Sequence, residues 1–107
     1  MIPIREELKR NVLEVKKEIE QLKNFDDVEE FLDYMIDVQV LVDIGIKRIS
    51  GFNICRMCGG PNIYVIYDRE YPRIYGCWYD VKHEISFDVK KAFLILDYLS
   101  EIWEGII

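Results

Sequence analysis

The 107-residue sequence contains no threonine, one alanine (Ala92), one histidine (His83), two glutamines and three serines. Nucleophilic and phosphoryl-transfer chemistry draws on hydroxyls, imidazoles and phosphate-cradling glycine loops, and this inventory supplies little of any of them. The composition therefore speaks against an enzyme. Long apolar runs are also missing. The richest stretch, 34–49, is interrupted by Asp37, Gln39 and Asp43, which a lone bilayer-spanning helix tolerates poorly. No charged-then-apolar leader opens the chain, so the expectation is a soluble, cytoplasmic protein with no membrane partner.

Isoleucine and tyrosine are abundant instead, with 16 and seven copies; half of all residues are apolar and 32% are charged. That is enough apolar content for one domain with its own core and too much for a disordered chain. Many charged groups with few thermolabile amides make a hyperthermophile-like composition. The net charge of −6 opposes loose binding to polyanions, but the charge is unevenly spread. Residues 47–83 carry six Lys/Arg against three Asp/Glu, a basic island between acidic flanks.

Apolar residues at Ile4, Leu8, Val12, Val15, Ile19 and Leu22 recur every three or four positions and predict a helix over 3–23, with Pro3 in its first turn. Asn24 stops it, and Asp26 or Asp27 caps a second helix over 27–49. The two form an antiparallel helical hairpin whose second half, apolar nearly all round, is deeply buried or covered by another subunit. Glu30, Asp33 and Asp37 would then make an acidic ridge, and Gly45 a point of close helix packing. β-Branched and aromatic runs at 62–67 and 73–79 predict a two-stranded antiparallel hairpin. A last helix over 87–104, followed in period by Ile106, docks on the helical hairpin. The expected fold is α+β in one domain: a helical hairpin (1–50), a knuckle with a β-hairpin (51–83) and a C-terminal helix (84–107).

The chemistry centres on Cys55-Arg56-Met57-Cys58-Gly59-Gly60. Two thiols two residues apart on a glycine-bearing turn can share a metal ion. Cys77 and His83 follow at spacings close to those of structural zinc sites, so Cys55, Cys58, Cys77 and His83 are the candidate ligands of a zinc ion. The Cys-x-x-Cys-Gly knuckle followed by a β-hairpin resembles one half of a zinc ribbon over residues 54–83, which implies a closed structural site. A disulfide among the cysteines and free thiols are the other readings. Cys55 and Cys58 precede a strand rather than open a helix, which disfavours redox catalysis.

Arg56, Arg69 and Arg73 interleave with aromatic residues including Tyr71 and Tyr75, the pairing that single-stranded nucleic acid binds. The favoured reading is a small non-enzymatic protein-interaction or regulatory module, its hairpin pinned by zinc, that self-associates as a homo-oligomer through its helices. The alternative is a nucleic-acid-binding protein using the basic aromatic hairpin.

Overall fold

A computed structural model describes residues 3–105. Those residues form, in chain order, α1 (Ile4–Glu20), α2 (Phe25–Asp33), β1 (Asp37–Asp43), β2 (Arg48–Met57), β3 (Asn62–Tyr67), β4 (Arg73–Trp78), β5 (Val81–Ser86) and α3 (Val89–Trp103). Ile106 lies outside the described residues.

The five strands make an antiparallel meander in the order β1-β2-β3-β4-β5. This overturns the expected helical hairpin with a two-stranded ribbon and a cysteine knuckle. The second helix ends at Asp33, and the run that was to complete it forms β1, a turn and the start of β2. The reason is local. Val38, Val40 and Val42 are β-branched at alternate positions, which suits a strand and crowds a helix. Asp43 then accepts a hydrogen bond from the Gly45 amide at 3.1 Å, and Lys47 adopts φ 55°, closing a turn over 44–47. A run apolar on every side of a helical wheel is also one apolar on both faces of a strand. Gly45 therefore serves the turn, not helix packing. The acidic ridge dissolves with the helix: Glu30 and Asp33 stay on α2, whereas Asp37 opens β1.

The start of α2 is locally encoded, with Asn24 as its cap in place of the expected Asp26 or Asp27. The Asn24 side chain accepts from the Asp27 amide at 2.9 Å, and Asp27 accepts from the Lys23 amide at 2.8 Å, satisfying two amides at the helix start. Likewise Asp88 caps α3 through the Lys90 amide at 2.9 Å. In α1 the stripe Leu8, Val12, Val15 and Ile19 is buried, and it lies over β4 and β5.

The core lies between one face of the sheet and the helices. Val38, Ile54, Val65, Ile74 and Ile85 are successive cross-strand partners on the helix-facing side, and the central three are fully buried. On them sit α1 over β4 and β5, and α3 over β2; α2 packs against α3. Gly76 of β4 shows how close α1 comes. A Cβ there would stand 2.8 Å from Val12 Cγ2 and 2.9 Å from Leu8 Cδ1, so only glycine admits the helix at this distance.

Candidate interaction surface and the cysteine region

The opposite sheet face carries the row Asp37, Cys55, Tyr64, Tyr75 and Glu84, again successive cross-strand partners. Beside it runs Gln39, Asn53, Ile66, Arg73 and Ser86. Because side chains alternate across a strand, this face belongs to residues the helices do not cover.

The three cysteines are free and gather near one end of this face. Cys55 is buried at the end of β2, where its thiol donates to Met57 O at 3.4 Å. Cys58 is exposed just beyond the strand, and half-buried Cys77 accepts a weak 3.9 Å contact from Asn62 Nδ2. Burial, followed by the neighbouring Cys58 and Asp37, pushes the Cys55 thiol up. The Tyr64 hydroxyl is raised by burial and then by Cys55, Cys77 and Cys58.

His83 stands elsewhere. It pairs with Gly76, whose missing side chain would point into α1, whereas Cys77 pairs with Lys82 on the uncovered face. The histidine thus faces α1, where burial first, then Lys9 and Arg5, push its pKa down. The structure brings Cys55, Cys58 and Cys77 to one side of the sheet and His83 to the other. Among the described residues no three His, Cys, Asp or Glu side chains are grouped to hold a metal ion. Sequence spacing missed this because strand period two, not ligand count, decides which of two near neighbours can meet.

Each of the three arginines is engaged by a carboxylate. Arg56 sits in an irregular step of β2 and forks onto Glu18 of α1 at 2.9 and 3.3 Å, with Nη1 donating to Tyr34 O at 3.4 Å. Arg73 forms a two-pronged pair with Asp68, both bonds 2.8 Å, and approaches Glu84 at 3.6 Å. Its guanidinium lies 5.5 Å from the centroid of the Tyr71 ring, and the Tyr71 hydroxyl donates to Glu84. That bond raises the Tyr71 pKa, and Arg73 holds the Asp68 carboxyl below the usual range. Arg69 is the most exposed, 3.7 Å from Asp43. Tyr75 lies in the middle of the uncovered face, opposite the Glu84 to which the exposed Tyr71 bonds.

A cleft of about 300 Å³ opens between the end of α1 and α2, floored by Leu22 and Phe31 and rimmed by Glu18, Asp27, Glu30 and Arg56. Arg56 and Glu18 neutralise one another across it.

Exposed apolar groups lie elsewhere, at the two ends of β1. Ile44 is 83% exposed and Ile46 65%, both in the turn after that strand; Tyr34 is 67% and Ile36 60%, both just before it. Val38 and Leu41 of β1 are also partly exposed, on opposite faces of the strand. Sequence reasoning placed all of them in one helix, whose half from Val38 onward was to be buried or covered by another subunit. The signal available was the alternation of valines at 38, 40 and 42 ahead of an Ile-Gly-Ile turn. Among the described residues no helix is long and apolar enough to cross a membrane.

No protein-family model, curated protein or solved structure matches this chain.

Proposed function

We propose that the protein is a small non-enzymatic interaction module that docks through β1 and the residues bracketing it. The observation that supports this most is the exposure of apolar side chains at both ends of an edge strand, Tyr34 and Ile36 before β1 and Ile44 and Ile46 after it. Water-exposed apolar groups at the ends of a strand with unpaired amides are what a docking surface presents. The remaining chemistry is consistent with a binding role: the single imidazole is lodged against α1, and the buried thiol is pushed toward its protonated form. Zinc is not part of this reading, because Cys77 and His83 lie on opposite faces of the sheet. Nucleic-acid binding is less well supported, since Arg56, Arg69 and Arg73 are each paired with a carboxylate and would have to exchange it for phosphate.

Photocrosslinking in cells tests the reading, with a benzophenone amino acid at Ile44 and, as a control, at Glu101 on α3. A discrete adduct, to another protein or to this chain, is expected from position 44 and not from 101. Equal yields of diffuse adducts at both positions would refute a docking role for β1.

A further inference from the structure

The two edges of the sheet are unlike. β5 presents Lys82, Glu84 and Ser86 as exposed positions, the charged pattern that discourages edge-to-edge pairing. Across the interior of β1, from Val38 to Val42, there is no charge and no proline.

β1 also reads almost the same in both directions: Asp-Val-Gln-Val-Leu-Val-Asp. An antiparallel pair centred on Val40 would set Val40 against its own copy, Val38 against Val42, and Gln39 against Leu41. Cross-strand β-branched pairs are the unit of sheet stabilisation, and here every kind of pair but one joins apolar residues or the terminal aspartates. Two-fold symmetry requires this kind of self-complementary patch. The aspartates, Asp37 facing Asp43, are the unfavourable contact, and Arg69 already stands 3.7 Å from Asp43 to offset it. The corner where β1 ends carries further apolar surface. Ile49, the partner of Val42, donates its amide to Glu104 at 3.2 Å, which fixes the end of α3 there with Ile102 and Trp103 about half exposed.

We infer that the occupant of the β1 edge is a second copy of this chain, paired antiparallel across a two-fold axis at Val40 to give a continuous ten-stranded sheet. This rests on the interaction-module reading and specifies its partner. β5, being charged, is excluded from the contact, so the assembly closes as a dimer and does not grow into fibres.

Sedimentation velocity on the full chain, across a range of concentrations, is the test. The wild type should sediment as a dimer, and Val38→Lys, at a position already partly exposed, should weaken self-association by an order of magnitude or more through a desolvated cation. Asp37→Asn, which removes the facing negative charges, should strengthen it. A benzophenone amino acid at Gln39 in the purified protein should give a covalent dimer, and the same group at Lys82 on β5 should not. A monomer at every concentration, open-ended oligomers, or crosslinking from Lys82 would overturn the proposal. A monomer whose Ile44 probe still captured a different protein in cells would overturn the self-pairing and leave the module reading standing.

Discussion

Arg73 is 15% exposed at its side chain and keeps its charge by gripping Asp68 with two parallel bonds. A guanidinium so placed requires a planar, two-oxygen partner, and lysine cannot reproduce the fork. Asp68→Asn leaves one acceptor oxygen and an incompletely neutralised cation, so it should lower unfolding free energy by about 1–2 kcal/mol, read from urea denaturation at neutral pH. Since Arg73 lowers the Asp68 pKa, the pair contributes stability above the ordinary value of 3.8 that is lost as pH falls through the lower folded value. With Asp68→Asn that acid-limb contribution should be missing; an unchanged acid limb would show that Asp68 and Arg73 are not coupled.

At the scale of elements, the α1–β4 contact depends on an absent side chain. Gly76→Ala must push Val12 and Leu8 aside, and overpacking of this kind costs about 1–3 kcal/mol. Thermal unfolding should show the loss, and Val12→Ala in the same chain should recover part of it by opening space. Two independent, additive losses would argue that the helix does not lie against Gly76. α1, β3, β4 and α3 were legible in the sequence to within a few residues, because each has an unambiguous period and punctuation such as Pro3, Pro72 and Asp88. β1 and β2 were not. Between Val38 and Ile49 the apolar residues satisfy a helical wheel as readily as two strand faces, and the valine alternation was outweighed by the continuous run after α2. β5 was not expected: Val81-Lys82-His83-Glu84-Ile85-Ser86 has the strand alternation, but only two aliphatic residues carry it.

For the whole molecule, the sheet gives the protein one covered and one uncovered face, and it divides the sequence's candidate residues between them. His83 falls on the covered side beside Lys9 and Arg5, and its pKa is depressed from 6.5. A lowered folded pKa means that the unfolded chain binds the proton more readily, so stability should decline as pH drops through 6.5 toward the folded value. His83→Gln should remove that part of the decline, as followed by chemical denaturation between about pH 7.5 and 5, the window in which an unperturbed imidazole titrates. An unaltered slope would mean that the imidazole is not held against α1. Residue order alone dictated α1 and α3, the β3–β4 hairpin and the acidic balance; all but the last depend on residues within a few positions of one another. The assembled fold was needed to establish that 38–49 is a strand, a turn and the start of a second strand, that Cys77 and His83 face apart, that the arginines are already paired, and that β1 is left at an edge. Those outcomes depend on which strand lies beside which, and strand order is set by contacts between residues far apart in the chain.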